Sequence, residues 1–141
     1  MLALSRLRKE LGSAMLPVTA VIWQQGEADA NHSEMTDTNY KMLFFEVASD
    51  LRANGVFAPI FVARTTLCEV NEHPFNNHEA IRNAQASLPD AQGGIIAGPD
   101  IDTIGVDARY DRCHFSKIGL DRCSDLWFET LSAQSALLRK P

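Results

Sequence analysis

The sequence predicts an α/β protein in which helices cover both faces of a parallel β-sheet. Three apolar runs, at residues 18–24, 58–64 and 93–98, have the character of buried strands, and segments with helical periodicity lie around and between them. Strands that alternate with helices of this length are joined by crossover connections, which produce a parallel sheet with a helical layer on each side. We therefore expect a three-layer α/β/α fold.

The first strand reads Val-Thr-Ala-Val-Ile-Trp-Gln, a β-branched run without polar alternation. This pattern is typical of a parallel strand that is covered on both faces. The second run, Ala-Pro-Ile-Phe-Val-Ala-Arg, and the third, Gly-Gly-Ile-Ile-Ala-Gly, have the same character. Sheets of this class usually have about five strands or more. Three strands therefore indicate a sheet that is truncated relative to a complete fold.

Four segments place apolar side chains three or four residues apart, which aligns them on one face of a helix. The four stripes are Leu4, Leu7 and Leu11; Tyr40, Leu43, Phe44, Val47 and Leu51; Ile81 and Ala84, within roughly 78–88; and Leu120, Cys123, Trp127 and Leu131. Ser116 is the expected N-cap of the last helix, because Phe115 before it and Leu120 after it have the spacing of a hydrophobic staple. The element order is therefore αβαβαβα.

The composition limits the class of function. The chain has 141 residues, 13 Lys+Arg and 18 Asp+Glu, so its formal net charge is −5. An acidic chain is a poor binder of phosphate backbones, so we expect no nucleic-acid partner. No apolar run approaches the ~18 residues of a membrane span, and charges stand where a signal peptide needs its apolar stretch. We expect residues 1–141 to form a single soluble domain that does not bind membranes.

The three cysteines, Cys68, Cys113 and Cys123, are an odd number in a chain that is too large to need disulfide staples. We expect reduced thiols in or near the core. The alternative, a Cys113–Cys123 pair in an oxidising compartment, stays open.

The sequence Asp111-Arg-Cys-His114 is the strongest local signal for chemistry. A carboxylate three residues before a histidine, on a loop that closes onto a helix start, can bond one ring nitrogen and leave the other free as a general base. Asp111 would then orient the ring and His114 would be the base. The alternative is a solvated aspartate beside a surface histidine.

The second signal, Trp23-Gln24-Gln25-Gly26-Glu27-Ala28-Asp29, directly follows the first strand. In parallel sheets of this kind, ligands bind at the carboxyl ends of the strands. Amide and carboxylate groups at this place, with Gly26 permitting a sharp turn, can donate to a developing oxyanion or hold substrate hydroxyls. The alternative is a polar loop that caps the next helix.

A zinc site is the rival chemistry, because four residues with metal-binding side chains occur in one loop: Cys68, Glu69, His73 and His78. No paired Cys-x-x-Cys or His-Glu-x-x-His motif accompanies them. We therefore expect no metal and no other cofactor, and we interpret the segment as a polar loop over the pocket.

Taken together, the pattern W-x-Q-G-E-x-D after the first strand and the pattern D-x-x-H-F-S-x-x-G after the last one resemble a known family, the SGNH hydrolases. The resemblance is to the branch of sialic acid O-acetylesterases and carbohydrate acetylesterases, and it covers nearly the whole chain. Lesser matches are Tyr40, Leu51-Arg52 and Arg82-x-x-Gln85. The resemblance implies a flavodoxin-like α/β/α fold and a Ser-His-Asp mechanism.

The resemblance also implies roles for individual residues. His114 would take the proton of the nucleophilic serine and return it to the leaving sugar hydroxyl, while Asp111 would hold the tautomer of His114 and stabilise the imidazolium. Gln25 matches the side-chain oxyanion donor, and Gly26 and Glu27 would be its oxyanion or substrate-binding neighbours. The substrate would be an acetylated carbohydrate, and the full-length form would often be exported.

The sequence departs from this family at the nucleophile. The Gly-x-Ser element and the second element, which supplies a backbone glycine to the oxyanion hole, are both missing. The chain therefore resembles the carboxyl-terminal part of a longer enzyme, with its serine upstream, and we expect the isolated chain to be inactive. Neither Ser5, Ser13 nor Ser116 lies on a strand-to-helix elbow, and Cys113 is not expected to replace the serine.

Two other functions stay open. A shortened SGNH hydrolase fold would serve as a non-catalytic binding or interaction module, with an exposed first strand that recruits a partner or forms a homo-oligomer. The other is a generic α/β domain whose motifs are coincidental. The sequence does not identify the acetylated sugar or the compartment.

Overall fold

The computed structural model describes residues 18–32, 34–69, 78–90 and 92–138. Its elements in chain order are β1 (Val21–Trp23), α1 (Glu27–Ala30), α2 (Asp37–Ala53), β2 (Ile60–Arg64), α3 (His78–Ser87), β3 (Ile95–Asp100), α4 (Lys117–Ala133) and α5 (Ser135–Leu138). Two short 3₁₀ turns, Ile101–Thr103 and Val106–Ala108, connect β3 to α4. The predicted first helix, with Leu4, Leu7 and Leu11, lies outside the described residues, as do Ser5, Ser13 and His73.

The three strands form one parallel sheet in the order β1-β2-β3, as the sequence predicts. Val21 pairs with Ile60, which in turn pairs with Ile95. Because β2 is the central strand, four of its five residues are buried. This explains why β2 lacks polar alternation: neither of its faces reaches solvent.

Helices cover both faces of the sheet, so the predicted three-layer architecture is confirmed. On one face, Ile60 and Val62 pack with residues of α2 and α3, including Phe44 and Ile81. On the other face, Phe61 and Ala63 pack against the 3₁₀ turns and Trp127 of α4. Successive residues of β2 thus contribute to opposite cores, which is the two-residue period of a strand.

The third strand begins two residues later than predicted and extends two residues further. Gly94 adopts a φ of 69°, a left-handed conformation that turns the chain before the strand starts. Pro99 then lies inside β3, which pairs with β2 alone among the described strands. An edge strand tolerates a proline, since the missing N–H faces away from the ladder.

The predicted helical stripes are buried only in part. In α2, Tyr40 and Phe44 are 3% exposed, whereas Leu43 and Val47 are 45% and 39% exposed. In α4, Trp127 is buried but Leu120 is 58% exposed. The three described strands offer each helix only a narrow surface to pack against. Apolar side chains at the margins of a helical stripe therefore stay exposed to solvent.

The cysteine prediction is wrong, because Cys68 and Cys113 form a disulfide and Cys123 is the free thiol. The loop after β2 lies directly against the loop before α4, and the backbone N–H of Glu69 donates to the carbonyl of Arg112 at 3.1 Å. The two cysteines are 45 positions apart in sequence, so only the fold reveals that they are neighbours. The Cys113–Cys123 alternative is wrong for the same reason.

Among the described residues, no helix has both the length and the apolar character that a membrane crossing requires.

Candidate active site

Asp111 and His114 form a hydrogen-bonded pair on the loop before α4. Asp111 Oδ2 lies 2.7 Å from His114 Nδ1, and Asp111 Oδ1 accepts from the backbone N–H groups of Cys113 and His114 at 3.0 and 2.6 Å. The hydrogen bond with the His114 side chain, supported by these backbone donors, lowers the pKa of Asp111 from 3.8 to about 2. The stability that these hydrogen bonds give to the folded state is fully present above about pH 3.8. It is lost as the pH falls through about 2, where Asp111 becomes protonated.

The charge of Asp111 fixes the tautomer of His114. An ionised carboxylate only accepts hydrogen bonds, so Nδ1 of the neutral ring must carry the proton. Nε2 then presents a lone pair. The His114 side chain is 68% exposed and stacks on Tyr110 with ring centroids 5.9 Å apart, which leaves Nε2 accessible as a base.

The loop that carries this pair is tied to the loop after β2. The Cys68–Cys113 disulfide attaches the residue next to His114. Arg112 forms an ion pair with Glu69, and its carbonyl accepts from the Glu69 backbone. Arg112 has a φ of 67°, an uncommon conformation for a residue with a side chain. These contacts hold a sharp bend between Asp111 and His114.

The start of α4 fixes the other end of the loop. Ser116 is the N-cap, as predicted, and its Oγ accepts from the backbone N–H of Gly119 at 3.3 Å and donates to the carbonyl of Ala108 at 2.8 Å. A Cβ on Gly119 would lie 2.3 Å from that same carbonyl, so a glycine is required for this approach. The Ser116 hydroxyl is therefore a capping group.

Gln25 lies at the carboxyl end of β1 with both its side chain and its backbone bonded. Its Nε2 donates to Asp29 Oδ2 at 2.6 Å. Its carbonyl accepts from the Tyr40 hydroxyl at 2.7 Å and from Gln85 Nε2 at 3.1 Å. The helix residues Tyr40 and Gln85, which are two of the lesser motif matches, thus position the loop after β1.

Gln85 is the central residue of this support and is 1% exposed. Besides Gln25, it bonds both backbone groups of Thr65, accepting from the N–H and donating to the carbonyl at 3.0 Å each. It also lies 3.3 Å from the Tyr40 hydroxyl. One side chain therefore connects α2, α3 and the carboxyl ends of β1 and β2.

Gly26 is buried, and close packing is the reason for a glycine at this position. A Cβ would lie 2.3 Å from the carbonyl oxygen of Thr65 and 2.4 Å from Gln85 Nε2. Its φ of 162° is extended backbone, which any residue adopts. Gly26 lets the loops after β1 and β2 touch.

Glu27 starts α1, and its Oε1 accepts from the Thr65 hydroxyl at 2.6 Å. A second carboxylate, Asp102, holds the next residues of the same loop: it accepts from the backbone N–H groups of Thr66 and Leu67 at 2.9 Å. Arg82, the remaining motif match on α3, bonds this carboxylate as well. The loop after β2 is thereby fixed at three successive residues.

A cavity of about 610 Å³ brings the two predicted motifs together. Its described lining comes from the segment after β1, which includes α1, from the loop after β2 and from the loop before α4: Gln24, Gln25, Glu27, Ala28, Asn31, His32, Cys68, Arg109, Cys113, His114 and Phe115. Of the predicted site residues, Gln25, Glu27 and His114 line it, while Asp111 stands behind His114 and Gly26 is buried. An oriented base beside amide and carboxylate groups is suited to moving the proton of a hydroxyl group.

Arg109 is a cavity residue that sequence reasoning missed. It is 6% exposed, its guanidinium donates to the Cys113 carbonyl, and it lies 4.3 Å from the centroid of the Phe115 ring. Burial lowers its pKa, and its Nε and Nη2 have no hydrogen-bond partner among the described residues. Its guanidinium therefore contacts the residues on either side of His114, at the Cys113 carbonyl and at the Phe115 ring. Its only sequence signal is its position two residues before Asp111.

One of the four residues considered for a zinc site cannot bind a metal ion. The sulfur of Cys68 is bonded to Cys113, so it is not available as a thiolate ligand. In the ranges that the structure describes, no three histidine, cysteine or acidic side chains are grouped so as to hold a metal ion.

A family model described as carbohydrate esterase, sialic acid-specific acetylesterase, matches residues 2–129. Searches among curated proteins and among solved structures gave no match.

Proposed function

The chain belongs to the sialic acid-specific acetylesterase family of carbohydrate esterases, and we propose that it forms the His–Asp part of an enzyme that hydrolyses O-acetyl esters of carbohydrates. The observation that carries this proposal is the Asp111–His114 pair, with Nδ1 held by the carboxylate and Nε2 open beside the cavity. An acetylated sialic acid is the proposed substrate, in line with the description of the family.

In the proposed mechanism, His114 Nε2 removes the proton from a serine hydroxyl as its oxygen attacks the acetyl carbonyl. The carbonyl electrons move to oxygen and then return, the C–O bond to the sugar breaks, and His114 gives its proton to the leaving sugar oxygen. Water then attacks the acetyl-serine by the same route and releases acetate. Asp111 keeps Nδ1 protonated and stabilises the imidazolium in both steps.

We propose that the serine lies upstream of Met1. The sequence has no Gly-x-Ser element. Among the described residues, no serine lines the cavity, and Ser116 uses its hydroxyl as a helix cap. The remaining roles fall to residues that line the cavity: Gln25 as an amide donor to the developing oxyanion, and Glu27 as a group that accepts from sugar hydroxyls.

The test is hydrolysis by the native protein purified from its source, after its mass and the coding sequence upstream of Met1 have been determined. With an O-acetylated sialic acid as substrate, we expect acetate release that His114→Ala lowers by about 10³-fold or more. His78→Ala is the matched control, since His78 lies on α3 and does not line the cavity. We expect the 141-residue chain alone to release acetate no faster than its His114→Ala variant.

Two results would contradict the proposal. One is a native product that starts at Met1 and releases no acetate. The other is a native enzyme whose activity is unchanged by His114→Ala. Clear activity of the 141-residue chain that depends on His114 would keep the esterase function and refute the upstream serine.

A second candidate function, a non-catalytic interaction module, is favoured by one observation. Among the described residues, β1 pairs with β2 on one side and with no strand on the other. Val18, three residues before β1, and Ile22, on β1, are 43% and 49% exposed. An apolar edge strand of this kind is a site for pairing with another chain.

A further inference from the structure

Gln24 is a cavity residue whose side-chain amide is oriented by α4, a helix that is distant in the sequence. Its Oε1 accepts from the Trp127 indole Nε1–H at 2.7 Å and lies 3.5 Å from the Cys123 sulfur. An indole nitrogen only donates hydrogen bonds, so the amide oxygen must face Trp127. The NH₂ group is then the end of the side chain that remains for other partners.

Because its oxygen faces Trp127, Gln24 keeps both side-chain N–H groups out of that contact. Gln24 lines the cavity together with His114, and no described residue accepts a hydrogen bond from its Nε2. Gln24 contacts α4, the helix that begins three residues after His114. It therefore lies on the same side of the sheet as the proposed base.

We propose that Gln24 donates a hydrogen bond to the oxyanion that forms on the acetyl group, in addition to the donor expected from Gln25. This inference rests on the proposed function, because it concerns the transition state of acetyl transfer. A donor that is aimed before the reaction begins stabilises developing charge without the cost of reorienting.

The partners of the two glutamines distinguish them. The Gln25 amide donates to Asp29, a carboxylate, at 2.6 Å, so one of its N–H groups is in use and a negative charge stands beside it. The Gln24 amide is held by a neutral indole. A negative charge next to a donor weakens its stabilisation of an oxyanion. Gln24 is therefore the better placed of the two amides for this role.

The first test is steady-state kinetics of the native, full-length enzyme. Gln24→Glu keeps an acceptor for the Trp127 indole but removes the donor, and Gln24→Met removes the donor without adding charge. We expect both variants to lower kcat by about 10²- to 10³-fold with little change in KM. Gln134→Glu, at the exposed carboxyl end of α4, is the matched control and should retain wild-type kinetics.

A third variant tests the orientation itself. Trp127→Phe keeps an aromatic ring but removes the indole donor, so the Gln24 amide is free to rotate. We expect a smaller loss of kcat than for Gln24→Met, and no further loss when the two substitutions are combined. Wild-type kcat in Gln24→Met, or a change confined to KM, would overturn the proposed oxyanion contact.

The second test does not depend on hydrolysis. The 141-residue chain, labelled with ¹⁵N, is titrated with sodium acetate, and sodium chloride of equal ionic strength is the control. The Gln24 side-chain NH₂ signals are identified by their loss in Gln24→Glu. We expect acetate alone to shift them saturably. If the native enzyme releases no acetate, the proposed function fails; if acetate leaves these signals unmoved, the Gln24 assignment fails.

Discussion

At the scale of single residues, the chemistry of this protein depends on how a few side chains are oriented. In the proposed mechanism His114 acts as a base because Asp111 holds the proton on Nδ1, and this arrangement is local: the two residues are three positions apart on one loop. The hydrogen bond with the His114 side chain is the main cause of the lowered pKa of Asp111, and the backbone N–H groups of Cys113 and His114, which point at the same carboxylate, add to it.

Asp111→Asn should reverse the tautomer of His114. An asparagine side chain retains an oxygen for the backbone donors, which leaves its NH₂ group facing Nδ1. Nδ1 then becomes an acceptor, the proton moves to Nε2, and the base is lost. We expect the ¹⁵N chemical shifts of the two ring nitrogens to exchange in the 141-residue chain, and kcat of the native enzyme to fall about 10⁴-fold.

Asp107→Asn, at an exposed position of the 3₁₀ turn before the loop, is the control and should leave the ring nitrogens unchanged. A variant Asp111→Asn that retains protonated Nδ1 would show that another group sets the tautomer.

Residues that act through local contacts could be predicted from the sequence, and residues with distant partners could not. Asp111, His114 and the Ser116 cap each bond within a few positions, so their spacing is informative. Gln85 bonds groups 20, 45 and 60 positions away, and its place in the motif gave no role. The packing reason for Gly26 was missed for the same reason, because its close neighbours are Thr65 and Gln85.

At the scale of elements, the site is built where three loops meet at the carboxyl ends of the strands. The loop after β2 is the hub: Gln85 holds Thr65, Asp102 holds the two residues after it, and the disulfide joins Cys68 to the His114 loop. The bounds of β3 and the burial of the α2 stripe were predicted less well than the element order. The start of β3 depends on the turn at Gly94, and the burial of the α2 stripe depends on the width of the sheet, which the periodicity of the sequence does not reveal.

Gln85→Leu should destabilise the fold and loosen two strand ends. Leucine has a similar volume but leaves the buried backbone groups of Thr65 without their side-chain partners. Each unsatisfied buried group costs about 1–3 kcal/mol, so we expect the free energy of unfolding to fall by at least that amount. Urea denaturation of the 141-residue chain measures it.

The matched control is Gln92→Leu, which places the same change on an exposed turn and should alter the free energy of unfolding by less than about 0.5 kcal/mol. Equal stability of the two variants would mean that the Gln85 hydrogen bonds do not hold the loops.

At the scale of the whole molecule, the parallel sheet and its two helical layers followed from the alternation of buried strands and helices. The disulfide could not be predicted in this way, because the Cys68–Cys113 pairing depends on which loops the topology makes adjacent. The family match agrees with the motif resemblance over most of the chain. The described sheet also has an apolar edge, which bears on how the chain associates.

We expect the 141-residue chain to self-associate through β1. Among the described residues, the free edge of this strand has unpaired backbone groups, and Ile22 on the strand is 49% exposed. Pairing with a second copy would give the backbone groups hydrogen-bond partners and would bury Ile22. Light scattering during size-exclusion chromatography should give a mass that rises with concentration.

Ile22→Lys should lower that mass, because a charge at the contact opposes pairing. Phe57→Lys removes an apolar side chain that is 77% exposed in the loop between α2 and β2, and it should leave the association unchanged. A wild-type chain that stays monomeric at every concentration would exclude this edge as an interface between copies.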